Sequence, residues 1–492
     1  MMVGNDTDLC FASATELVAA YRARTLSPVD VVHAVLARID ALNPRLNAFN
    51  LVDHDGALAA ARASEARWAS GKPLGPVDGV PASIKDILLT KGWPTLRGSK
   101  TIDPAGPWKD DAPAVARLRE SGAVLLGKTT TPEFGWKGVT DSALTGVTRN
   151  PWHLEMTPGG SSGGAAAQVA AGMGQLAVGT DGGGSIRIPC AFSGITGLKP
   201  AFGRVPAWPL SPFGTVAHLG PMARTVADCA LMLNVLAQPD ARDWHSLPWD
   251  GTDWTQALTR HHALWSKGLH PLDADEEKPL AGTRVAFSPR LGYVKYVHED
   301  VEQRVADAAR VLGELGAHVE AVDPGFEDGE SLFTLFWTTG AWNLLRKLSA
   351  EKLALVEPPL RAAAEHGGRY SLAEYLDAVA ARSVLGERMR RFHEAWDVLV
   401  TPTVAVPAFE VERLEPASPL GNGSWTWWTP FSYPFNLTQQ PAISVPCGLT
   451  DQGLPVGLQI VGPMHREDNV LRVAHAYEQA TDHHRQRPPL AA

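Results

Sequence analysis

Apolar positions along this chain fall into two spacings. In Val31, Val32, Val35, Leu36, Ile39 and Leu42 they recur every three or four residues, the repeat of a helix with one buried face. Ser27 and Pro28 stand just ahead of that run, where a capping hydroxyl and a proline at the first helical position favour a helix start. Ser13 followed by Glu16 reads as a capping box that opens an earlier helix. Elsewhere the apolar residues are contiguous and short. GVPASIKDILL (Gly79 to Leu89) and GAVLLGKT (Gly122 to Thr129) are bounded by glycine or proline, as strands buried on both faces are. DDAPAVARLRESG between them reads as a helix, so the stretch forms a βαβ unit.

The same texture returns in the second half. TRVAFS, EDVEQRVADAARVLGELG and AHVEAVDP read as strand, helix and strand, and WDVLVTPTV, PAISVPCGL and LPVGLQIVG as further strands. TVADCALMLNVLA and EDNVLRVAHAYEQA are helical. Between residues 239 and 280 the periodicity breaks down into a polar stretch carrying Trp244, Trp249, Trp254 and Trp265, which predicts a surface insertion. Strands and helices alternate on both sides of it, so the pattern predicts an α/β fold, one open sheet covered by helices.

Composition narrows the functional classes. With 45% apolar and 20% charged residues the 492-residue chain can bury a large core. Its net charge of −9 comes from interleaved acids and bases, so no nucleic-acid footprint is expected. Cys10, Cys190, Cys229 and Cys447 form no CxxC pair, which suggests neither a disulfide framework nor a zinc site and fits a reducing compartment. No run reaches the roughly 18 apolar residues of a membrane span, and the N-terminus lacks a basic region followed by an apolar one. The expectation is a cytoplasmic protein acting on a small molecule, without membrane, cofactor or metal.

Two familiar motifs point away from the chemistry. GAVLLGKT satisfies the P-loop expression, but its intervening residues are Ala, Val, Leu and Leu, and a β-type run replaces the phosphate-cradling loop. Lys128 then reads as a structural or solvated lysine at a core strand. Gly160-Ser-Ser-Gly-Gly164 satisfies G-x-S-x-G, which would make Ser162 the nucleophile of a hydrolase elbow. That elbow needs a strand before the serine, whereas NPWHLEMTPGG resembles a loop, and no turn context singles out His218, His298 or His475 as its base.

TPGGSSGGAAAQVAAGMGQLAVGTDGGGSIRIP, Thr157 to Pro189, carries two glycine clusters built around serines. In TDGGGS, Gly182, Gly183 and Gly184 let several N–H groups converge beside Ser185, as an oxyanion hole requires. The alternative is a plain glycine turn feeding a strand SIRIP. A serine needs a base, and Lys85, inside the apolar run PASIKDILL, would lose its proton readily if buried. The alternative there is a charged gatekeeper on an edge strand.

These residues resemble the amidase signature family. The resemblance rests on GVPASIKD around Lys85, GGSSGG at Gly159 to Gly164, GTDGGGSIRIP at Gly179 to Pro189, GITGLKPAFGRVP at Gly194 to Pro206, and QPAISVPCG with GLPVGLQIVG near the end. It spans nearly the whole chain apart from the Trp-rich segment. It implies a single α/β/α domain over 1–492 with a mixed open sheet. It also implies a Ser-Ser-Lys triad in which the nucleophile Ser185 is preceded 24 residues earlier by a bridging serine in a cis peptide, Ser161, with Lys85 as the base. Gly182, Gly183 and Gly184 would supply the oxyanion hole, and the reaction would be hydrolysis of a carboxylic amide. Beside the resemblance, Asp181 and Arg187 flank the nucleophile and are expected to pair and hold its loop, a direct substrate contact being the alternative, and Ser162 is expected to donate to that loop rather than to the substrate.

Within the family, the A subunit of the bacterial glutamyl-tRNA amidotransferase is the rival reading. It uses an aspartate shortly before P-x-N-L to bind the glutamine amino group, where this chain has Thr429. A carbamate or ester hydrolase on the same triad is a further alternative, and so is a catalytically silent scaffold. The aromatics of SWTWWTPFSYPF (Ser424 to Phe435) and FTLFWTTGAW (Phe333 to Trp342) could line a pocket for an aryl or bulky apolar group. Core packing or a homodimer contact would account for them equally well.

Overall fold

The computed structural model describes residues 6–259, 278–418 and 420–491. Local signals set the first helices: Ser13 and Glu16 form a reciprocal capping box ahead of Ala14–Ala23, and Ser27 caps Pro28–Leu46, whose first residue is the proline. Eleven strands make one sheet: β1 (Phe49–Val52), β2 (Pro81–Lys85), β3 (Val124–Thr129), β4 (Leu176–Asp181), β5 (Thr196–Lys199), β6 (His218–Ala223), β7 (Arg284–Phe287), β8 (His318–Ala321), β9 (Val398–Pro402), β10 (Ala442–Leu449) and β11 (Pro455–Val461). Their spatial order is β1-β3-β2-β4-β6-β5-β10-β11-β9-β7-β8.

The sheet is mixed, as expected. β2 runs parallel to both β3 and β4, and β7 runs parallel to β8 and β9, while the strands between these groups pair antiparallel. Central strands such as β2, β3 and β9 are buried throughout, which is why their sequences read as unbroken apolar runs. At the edge, β8 is exposed at His318, Glu320 and Ala321, and the charged Glu320 blunts further pairing. Among the described residues no helix is long and apolar enough to cross a membrane.

Three central strands carry no strand signal in the pattern. β4 is embedded in glycines, β5 has four residues, and β6 contains Gly220 and Pro221. Conversely, SIRIP does not form a strand but opens the helix Arg187–Ser193, with Pro189 in its first turn where a missing N–H does no harm. Lys128 is structural: buried in β3, its ammonium lies 3.2 Å from Asp86 and donates to Leu88 O and Thr95 Oγ1. Burial pulls its pKa down to about 8 against the attraction of Asp86.

Of the polar segment 239–280, residues 239–259 and 278–280 are described. Trp244 is exposed, whereas Trp254 is buried in a short helix, Trp254–Ala257, with the Arg204 guanidinium 5.4 Å from its ring centre. Trp265 lies outside the described residues.

Candidate active site

Parallel pairing of β2 with β4 sets Ile84 beside Val178, which brings the last residue of β2, Lys85, level with the end of β4. This is the carboxyl edge of neighbouring parallel strands, where open α/β sheets place their ligands. From β4 the chain passes through Gly182, Gly183 and Gly184 to Ser185 and into the helix Arg187–Ser193. Ser161 and Ser162 sit at the start of the helix Gly163–Ala170, which leads back to β4, and the Gly160–Ser161 peptide is cis.

Lys85 is fully buried on an internal strand, so it is no edge gatekeeper. Its Nζ lies 2.8 Å from Ser161 Oγ, 2.8 Å from Ser162 Oγ and 2.8 Å from Thr180 Oγ1. Removal from water pushes its pKa well below the usual lysine range, with Asp181 opposing in part. Ser162 is locked: its hydroxyl donates to Thr180 O at 3.2 Å and accepts the Thr180 N–H at 3.3 Å. It is left only to accept from Lys85. An uncharged Lys85 therefore turns its lone pair toward Ser161 or Thr180. Ser162 is fully buried, away from any substrate, so the elbow reading of G-x-S-x-G has no nucleophile.

Ser185 is 6% exposed and shares the wall of a cavity with Ser161 and Thr180. No hydrogen bond joins the Ser161 and Ser185 hydroxyls among the described residues; the two loops are tied by Ser162 N–H donating to Ser185 O at 3.2 Å. The expected oxyanion donors need one correction. Gly184 N–H donates to Asp181 Oδ1 at 2.8 Å, so it is already committed. Ile186 N–H goes to Asp181 Oδ2 at 3.2 Å. The N–H groups of Gly182, Gly183 and Ser185 donate to no described residue.

Asp181 and Arg187 hold this loop from behind. Arg187 Nε and Nη2 each lie 2.9 Å from the Asp181 carboxylate, and Asn436 Nδ2 donates to it at 2.9 Å. The remaining guanidinium protons reach Ser432 O at 3.0 Å, Gln459 Oε1 at 2.7 Å and Asn436 Oδ1 at 2.7 Å. Burial alone would raise the Asp181 pKa, but Arg187, Lys199 and Asn436 bring it below the usual carboxylate range. Both side chains are fully buried and neither lines the cavity. Arg187→Met is expected to destabilise the protein by about 3–5 kcal/mol, because it strands a buried carboxylate. Urea unfolding checks this; a loss below about 1 kcal/mol would contradict it.

The cavity has a volume of ≈ 150 Å³, close to the room that a single aromatic ring occupies. Trp337 and Phe213 stack on its wall with ring centres 3.8 Å apart. Behind them Phe333, Trp425 and Tyr433 form a second layer. Of the aromatic stretches, then, Trp337 reaches the cavity, while Ser424 to Phe435 backs it. Thr429 is buried and donates to Trp425 O at 3.2 Å. The glycine loop rests on this layer: a Cβ on Gly183 would come 2.6 Å from Phe333 and 2.8 Å from Trp425. Gly183→Ala is therefore expected to destabilise by about 1–3 kcal/mol through overpacking. It should also lower turnover through displacement of the loop, and thermal unfolding read beside activity checks both.

Sequence reasoning passed over Thr180, Arg97, Phe213 and Trp208. Thr180 precedes the last residue of β4, a strand the sequence pattern did not reveal, and Phe213 and Trp208 stand in a loop without periodicity, so none of these had a local signal. Of the histidines, His298 caps the helix Glu299–Glu314 and His475 lies in the helix Glu467–Gln479. His218 lines the cavity, with Nδ1–H donating to Val216 O at 2.8 Å. Burial, reinforced by nearby Lys199, keeps its pKa well below the usual histidine value.

The model of the amidase family matches residues 30–471. The chain is 37% identical over 485 residues to an acylamidase from Rhodococcus erythropolis, covering 96% of each chain. It is 35% identical over 514 residues to the A subunit of the glutamyl-tRNA(Gln) amidotransferase of Chloroflexus aurantiacus, covering 98% of this chain and 99% of that one. Among solved structures, a bacterial aryl acylamidase of the amidase signature enzymes superposes with a TM-score of 0.85 at 31% identity, over 96% of this chain and 97% of the other.

Proposed function

The chain belongs to the amidase family of amide-hydrolysing enzymes, and from that premise we propose that it cleaves a carboxylic amide C–N bond through an acyl-enzyme on Ser185. The observation that carries this reading is the buried Lys85 amine 2.8 Å from the Ser161 hydroxyl, beside the cavity that Ser185 lines. Uncharged Lys85 accepts the Ser161 proton, and Ser161 draws the Ser185 proton as Ser185 Oγ attacks the carbonyl carbon. The amides of Gly182, Gly183 and Ser185 stabilise the oxyanion. When the intermediate collapses, the C–N bond breaks and the proton returns through Ser161 to the leaving nitrogen. Water then attacks the acyl-enzyme by the same relay and frees the acid.

A ring-sized cavity with Trp337 and Phe213 on its wall supports an aryl or bulky apolar amide as substrate. The glutaminase reading has less support: among the described residues no Asp or Glu lines the cavity to pair with an α-ammonium group, and Thr429 is turned to the backbone. Carbamates and esters fit the same acyl chemistry. The four cysteines are free and buried, which supports a reducing location such as the cytoplasm. A hydrolysis screen over aliphatic amides, anilides, carbamates and glutamine tests the reading. Anilides are expected to turn over at least tenfold faster than glutamine; glutamine as the preferred substrate would overturn it.

A further inference from the structure

Among the described residues, Arg97 is the one formally charged side chain on the wall of the cavity that holds Ser161 and Ser185. Its guanidinium forms no hydrogen bond or salt bridge with any described residue. Asp86 attracts it without contact, but that carboxylate is spent on Lys128 at 3.2 Å, Asn50 Nδ2 at 2.9 Å and the Leu96 N–H at 3.3 Å. Burial lowers the Arg97 pKa, the sign of a cation short of a counterion.

The backbone adds a second observation. Arg97 has φ 55° and is followed by Gly98 at φ 62°, so a large side chain occupies the left-handed region where glycine or asparagine is cheaper. The turn is cast against the neighbouring wall. Arg97 O accepts the Phe134 N–H at 2.7 Å, and a Cβ on Gly98 would come 2.5 Å from Thr131 O. A long cationic residue held in an unfavourable conformation, aimed at a cavity and left unpaired, is arranged for a ligand rather than for the fold.

We infer that Arg97 selects the substrate: an amide that carries a carboxylate, which the guanidinium fork binds, and no ammonium group, for which the described cavity wall offers no acid. This rests on the amidase reading and deepens it. The carboxylate could sit on the acyl side or the amine side of the scissile bond, with the ring against Trp337, Phe213 and Leu88.

Two isosteric pairs test the inference. N-phenylsuccinamic acid, with its carboxylate on the acyl side, is compared with its methyl-ketone analogue 4-oxo-N-phenylpentanamide. 4-Acetamidobenzoate, with its carboxylate on the amine side, is compared with 4-acetamidoacetophenone. In at least one pair the acid is expected to exceed its neutral partner in kcat/KM by roughly 10- to 100-fold, mostly through KM. That pair tells which side bears the charge. Arg97→Gln is expected to bring the acid-to-neutral ratio close to one, and Arg97→Lys to restore part of it. A neutral preference in both pairs, or a ratio that Arg97→Gln leaves unchanged, overturns the inference. Calorimetric binding to Ser185→Ala protein separates it from the amidase reading. Binding of either acid that is lost in the Ser185→Ala, Arg97→Gln double variant supports the inference even without turnover, and failure of both acids to bind overturns it.

Discussion

Ser185→Ala is expected to lower kcat/KM by roughly 10,000-fold or more, with the melting temperature nearly unchanged. The size follows from the chemistry, since without Oγ no acyl-enzyme forms, and only the amides of Gly182, Gly183 and residue 185 remain to polarise a carbonyl. The small effect on folding follows from place. Ser185 stands at the cavity wall, and its loop is held by backbone and by Asp181 rather than by its own hydroxyl. Steady-state hydrolysis of an anilide beside thermal unfolding reads both. A variant that keeps a tenth of the activity would exclude Ser185 as nucleophile.

Lys85→Met should be nearly as severe, with a loss of about 1,000- to 10,000-fold, because it removes the proton acceptor while filling most of the same volume. Its diagnostic signature is pH dependence. The Lys85 pKa is lowered by burial, so the amine is charged and useless as a base below that folded value and neutral above it. The wild-type rate is expected to rise with pH through that value and level off at a pH well under the ordinary lysine range. In Lys85→Met the residual rate should lose this ascending limb. A limb unchanged in the variant would assign the titration to another group.

Much of the fold was legible because long helices and doubly buried strands leave strong patterns. The helix over Val31 to Leu42 and the strands around Lys85 and Lys128 are examples. What escaped was carried by tertiary context. β6 holds a glycine and a proline, yet it pairs on both sides in the middle of the sheet. Only the packed neighbours make HLGPMA a strand.

The candidate site divides in the same way. Lys85, Ser161 and Ser185 stand out in the sequence because glycines and a lysine in an apolar run are unusual there, and the fold brings them to one carboxyl edge. Gly184 shows the limit. Its place in a glycine run suggested an oxyanion donor, but the direction of an N–H depends on backbone angles, and this one points to Asp181. Arg97 and Phe213 come from loops whose positions depend on the rest of the fold, so no local pattern could mark them.

The most direct test of the account is the rate of covalent labelling by a fluorophosphonate as a function of pH, with the modified residue located by peptide mass. The account predicts a single adduct on Ser185, formed at a rate that rises with pH in the wild type and is slow and flat in Lys85→Met. An adduct on another residue, or labelling of Ser185 at the wild-type rate without Lys85, would contradict it.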